Sequence, residues 1–120
     1  MTQLVRVEHK DGYGIFRHKI SRPDLNDLGL SELVDRHYNE IPTPRKDIGR
    51  VIREYEFCAF KSVEQVKNHI LPKEMKILLE NDYRVYLIEV SECVEGSSQI
   101  IFEKEKIISK KNISRKFKVY

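Results

Sequence analysis

A chain of 120 residues has the length of one domain, enough to bury most of the apolar surface that an extended chain exposes and too short for a second core. With 40% hydrophobic and 34% charged residues it belongs to the globular class, with a thin core and a heavily charged surface, which excludes disorder across the whole chain. Its apolar runs, such as Val85 to Ile88, fall far short of a membrane span, and "MTQLVRVEHK" lacks the apolar centre of a signal peptide, so a cytosolic protein with no membrane contact is expected.

In chain order, "LVRVEH" (4 to 9) alternates apolar and polar residues and predicts a strand, and "KDGYG" turns it. After Pro23, "DLNDLGLSELVDRHY" places Leu25, Leu28, Leu33, Val34 and Tyr38 near one helical face, with Asp24 and Ser31 as N-cap candidates. Gly29 between them divides the segment into two short helical pieces. "NEIPTPRKDIG" is expected to be a long loop, because its two prolines oppose both helix and central strand.

"EYEFCAF" (54 to 60) is apolar on both faces, the pattern of a strand inside a sheet. Ser62 with Gln65 three residues on predicts a capping box, in which the glutamine returns to the cap's own amide, and Val63, Val66 and Ile70 line the inner side of the helix that follows. Pro72 opens another helix, with Met75, Leu78 and Leu79 inward. "DYRVYLIEVSECV" is the strongest strand signal; Glu95-Gly96 turns it, and "SQIIFEKEKII" is expected to return as its long antiparallel partner. "SKKNISRKFKVY" ends the chain with room for a last short strand through Phe117, Val119 and Tyr120. The expected fold is α+β: one domain over residues 1–108, a twisted, mainly antiparallel sheet of about five strands with two or three packed helices, and a basic C-terminal segment over 109–120 that can serve as a short edge strand.

The net charge of +3 is concentrated in that segment: residues 104–120 hold seven Lys/Arg against Glu105 alone, leaving the rest of the chain net acidic. Lys110, Lys111, Arg115, Lys116 and Lys118 are therefore the candidates for contact with nucleic acid, against the plainer reading that lysines blunt an exposed strand edge. Cys58 and Cys93 lie 35 positions apart and form no Cys-x-x-Cys pair, so both are expected as free thiols. His9, His18, His37 and His69 show no metal-ligand spacing, and no metal site is expected. Gly12-Tyr13-Gly14 lacks the third glycine of a dinucleotide loop, there is no nucleophile elbow, and no catalytic residue is expected.

What remains is a set of polar residues at strand ends: Arg6 and His9, Ser62, and Gln99. Each has a structural explanation, with Arg6 facing solvent, Ser62 capping a helix and Gln99 in a cross-strand pair. Gathered round one cleft, they would suit a nucleotide's diphosphate and ribose.

"RVEH…GYGIF", "IPTPRKDIG", "FCAFKSVEQVKNHI" and "GSSQIIF" resemble a family of small, functionally uncharacterised proteins of tailed bacteriophages and prophages, over residues 4 to 103 and not over the basic tail. That resemblance implies an accessory role in the host cytoplasm, by binding a host or anti-phage defence protein or by capturing a nucleotide signal. The order of polar residues is also distantly similar to the ADP-ribosyltransferase fold, which implies NAD as cofactor, with Arg6 or His9 on its diphosphate or ribose, Ser62 at the nicotinamide ribose and Gln99 in the late position. Active members carry a carboxylate there, and a neutral glutamine offers no negative charge to an oxocarbenium-like sugar.

Overall fold

The computed structural model describes residues 1–16, 22–41, 44–53, 55–118 and 120. Among these residues the chain forms β1 (Thr2–His9), α1 (Ser31–Glu40), α2 (Pro44–Ile48), β2 (Glu56–Ala59), α3 (Val63–His69), α4 (Pro72–Glu80), β3 (Tyr83–Val90), β4 (Val94–Glu95), β5 (Ile100–Glu103) and β6 (Ile107–Asn112). The fold is α+β, with two three-stranded antiparallel sheets in the orders β1-β3-β6 and β2-β5-β4. No described helix is long and apolar enough to cross a membrane.

Strand alternation gives β1 a part in two cores. Val5 and Val7 point to one face and join Val85, Leu33, Val66, Met75 and Leu78 in the larger core, under the helices. Leu4 points to the other face and packs with Ala59, Ile88, Val90, Ile100 and Phe102 in a smaller one. β1 is thus buried on both sides, by helices on one and by the second sheet on the other, whereas the edge strand β6 is exposed.

The two sheets touch backbone to backbone at one place. Val5 and Phe60 exchange hydrogen bonds of 2.9 and 2.8 Å as an isolated bridge, and then β1 and β2 part. The turn after β1 enters the space between them. His9 N–H donates to Tyr13 O at 3.0 Å, and Gly14 bridges Glu8, so Tyr13 to Phe16 run back along the edge of β1 that β2 has left. Gly12, at φ 89°, supplies the left-handed residue this turn requires.

Several expectations are corrected. β5 does not pair with β3: the chain crosses sheets after Val90, Val94 and Glu95 form the hairpin with Ile100 and Ile101, and a 3-10 turn at Lys104–Lys106 then returns β6 to the first sheet. The single long partner predicted for β3 is therefore two strands in two sheets. "NEIPTPRKDIG" is not all loop, because Pro44 stands at the first position of α2, where a missing N–H costs nothing. Asp24 caps a turn rather than a helix, accepting from Asp27 N–H at 2.9 Å, and Ser31 is the first residue of α1 with no side-chain cap before it. Tyr38, expected inward, is 69% exposed. The last segment is a 3-10 turn, Ser114–Phe117, with Phe117 buried; Val119, like Arg17, His18 and Glu54, lies outside the described residues.

Candidate functional site

The parting of β1 and β2 opens a cleft of about 440 Å³. It is lined by β2 and Phe60, by Gly14, Ile15 and Phe16, by His37 and Tyr38 of α1 with Ile41 just after it, and by Ile52, Ser98 and Gln99. A cavity of this size with apolar walls and a few convergent polar groups is what binding sites generally look like.

Arg6 sits at the root of the fork, 4% exposed. Cys58 has the strand parity of Phe60, so its carbonyl faces the edge that β1 has abandoned, and Arg6 Nη1 donates to it at 2.6 Å in place of the missing ladder bond. Arg6 Nε donates to Glu8 at 2.9 Å, and Lys110 Nζ donates to the other oxygen of Glu8 at 2.8 Å. The guanidinium also lies 4.8 Å from the ring centre of Phe57 and 5.7 Å from that of Phe102. The solvent-facing role considered for Arg6 is not what it does: it ties the two sheets together.

Glu56 enters the cleft wall from β2, with its carboxylate held by both Arg50 nitrogens at 2.8 Å and by Arg53 N–H at 2.8 Å. The hydrogen bonds from Arg50 lower its pKa to about 2, so it is anionic and engaged. Burial pushes the Cys58 thiol above its ordinary range, which keeps it protonated and unreactive.

Gln99 is 7% exposed and lines the same cleft as Arg6. Its position follows from a latch on the β4–β5 turn. Asp47 on α2 accepts from Ser97 N–H and Oγ at 2.6 Å, from Ser98 N–H at 3.3 Å and from the Gln99 side chain. The Ser97 hydroxyl bond, foremost among these, lowers the Asp47 pKa. Gly96 permits the approach, since a Cβ there would collide with the Asp47 carboxylate.

The other two predicted residues lie elsewhere. Ser62 accepts from Gln65 N–H at 3.1 Å as the cap of α3 and does not line the cleft. Gln65 returns to Lys61 N–H at 2.6 Å, one residue before the amide expected, and donates to Ser98 O at 2.6 Å, so the junction after β2 braces a residue of the cleft lining through the glutamine. His9 is buried at the far end of β1, edge-on to Tyr83 at 4.9 Å and 3.3 Å from Asp11 Oδ2. The structure therefore brings Arg6 and Gln99 to one cleft and leaves His9 and Ser62 out of it.

Sequence reasoning missed His37, which it weighed only for metal spacing. His37 stacks on Phe16 with ring centres 3.6 Å apart, and its Nδ1 lies 3.1 Å from His69 Nε2. Burial, then the neighbouring His69, lowers the His37 pKa to about 4, and burial lowers that of His69. Both rings are neutral at pH 7. A pair 32 residues apart on two helices leaves no spacing signal; the one trace is that both lie on amphipathic segments. Among the described residues no group of three or more His, Cys, Asp and Glu is placed to hold a metal.

Of the basic candidates, Lys110 is committed to Glu8 and lies 4.4 Å over the Tyr86 ring. Lys111, Arg115, Lys116 and Lys118 are exposed on and after the edge strand β6.

The sequence matches the family model described as Bacteriophage T4 Y00F protein over residues 1–116, so the match takes in most of the basic segment that the resemblance had left outside. No curated protein and no solved structure matches the chain. A match along nearly the whole length places the chain in a phage family, and it belongs to the Bacteriophage T4 Y00F protein family.

Proposed function

We propose that this phage protein is an accessory factor that acts in the host cytoplasm by binding a host or anti-phage defence protein, and that the cleft between β1 and β2 receives an apolar or aromatic side chain of that partner. The observation that carries this reading is the cleft itself: apolar walls, with the charged groups that line it engaged within the fold. Tyr38, in its lining, is 69% exposed. Exposed large apolar residues round a concavity are the usual surroundings of a buried anchor in a protein interface.

The same features weigh against capture of a nucleotide and against an NAD-using transferase. A diphosphate needs a cation able to turn toward it, whereas Arg6 is engaged by Glu8 and the Cys58 carbonyl, and Gln99 is bound to Asp47. The test is capture from infected cells with the wild-type chain and with Ile52→Asp, which puts a charge in the cleft lining. A stoichiometric protein partner retained by the wild type and lost by the variant is the expected result. Equal retention by both, or no partner at any stage of infection, overturns the reading. Transfer of label from NAD to a host protein, abolished by Arg6→Met, would establish the transferase instead.

A further inference from the structure

The chemistry of the anchor follows from the histidine pair, on the premise that the cleft binds a partner's side chain. Glu40 Oε2 lies 3.5 Å from His69 Nδ1, and a carboxylate can only accept, so the His69 proton belongs on Nδ1. His69 Nε2 is then bare and accepts from His37 Nδ1–H across 3.1 Å. A neutral imidazole carries one proton, which leaves His37 Nε2 bare in turn. Phe16, stacked at 15° to the His37 ring, holds its plane. No described residue hydrogen-bonds to that nitrogen. Among the described residues the one buried side-chain nitrogen or oxygen that lacks a hydrogen bond is Asp11 Oδ2, so His37 Nε2 is not sealed off. His37 lines the cleft beside Phe16, and Phe57 and Phe60 line the same cleft.

We infer that the cleft selects a tyrosine side chain of the partner protein, its ring between the aromatic walls and its hydroxyl donating to His37 Nε2. A carboxylate or carbonyl would set acceptor against acceptor, with Arg6 already engaged by Glu8 and Cys58. An alkyl or phenyl group would strip water from the nitrogen and return nothing, since a desolvated acceptor without a donor is costly. A phenol fills the aromatic space and supplies the proton.

The test uses the intact protein, long-range 1H–15N NMR of its histidines and three probes: 4-methylphenol, toluene and 4-methylbenzoate. His37 and His69 are both expected as Nδ1–H tautomers. 4-Methylphenol is expected to bind with a shift at His37 Nε2, and 4-methylbenzoate is not. In His37→Phe, which keeps a ring against Phe16, the affinity ratio of 4-methylphenol to toluene is expected to fall roughly 3- to 10-fold, the worth of one hydrogen bond. A proton on His37 Nε2, or the same ratio in both proteins, overturns the inference while leaving an apolar binding cleft in place. Binding of none of the probes overturns the inference and removes the support for the cleft reading together.

Discussion

The two sheets have three strands each and little else in common. In the first, β1 and β3 pair along eight residues, from Thr2↔Val90 to His9↔Tyr83, and the helices close one face. In the second, β2 and β5 pair over four residues and β4 adds two, and its buried side chains pack on Leu4, Ile88 and Val90 of the first. One sheet has its own helical backing; the other borrows the first sheet's reverse face. The cleft opens where the borrowed half leaves the backed half, so the deformable side of the site is β2 and the β4–β5 turn, and the fixed side is β1.

That contrast can be broken by mutation. Leu78→Ala, in the helix-covered core, is expected to cost about 3–4 kcal/mol in denaturant unfolding, and Ile100→Ala about 2–3 kcal/mol, because the thinner core relaxes further into the space left. A larger loss from Ile100 would mean that the second sheet carries the fold. Arg6→Met is expected to lose about 3 kcal/mol, since it keeps the packing on Phe57 but leaves the Cys58 carbonyl without its donor; an unchanged unfolding midpoint would show that Arg6 does not join the sheets. Gly96→Ala is expected to cost about 2 kcal/mol by driving Asp47 off the turn, with faster amide exchange at Ser97 and Ser98 and none at β1. Ser62→Ala is expected to cost about 1 kcal/mol, the usual worth of a helix cap, and to leave cleft binding unaltered.

Acid sharpens the comparison from the helical side. His37 titrates near 4 in the fold and near 6.5 when unfolded, so between these values the unfolded chain holds the extra proton. The contribution of neutral His37 to stability is complete above pH 6.5 and is lost as pH falls toward 4. His69, also lowered, acts in the same direction. Glu40 and Glu74 face the pair and Arg36 is held by Glu74, so the slope is smaller than for an isolated buried ring. A stability profile with less slope over this range in His37→Phe would confirm the assignment, and an unchanged slope would refute it.

The elements read most securely from sequence were those whose signal is local. The alternation of "LVRVEH", the run of "YRVYLIEV", the Ser62 cap and the proline opening α4 each act through neighbours in the chain, and each is in place. Arg6 and Gln99 were legible as polar residues at strand ends, but nothing in the residues showed that one would be engaged by Glu8 and the other by Asp47.

The chain by itself determined its class, its buried stripes and most of its turns, because periodicity, capping and glycine torsions are properties of consecutive residues. Only the tertiary structure decided that "SQIIFEKEKII" breaks between two sheets, that β1 and β2 share a single bridge before parting, and that His37 meets His69 beside the opening. Those outcomes depend on which surfaces find each other across 30 to 100 residues, where hydrophobic burial rewards contact without naming a partner in advance.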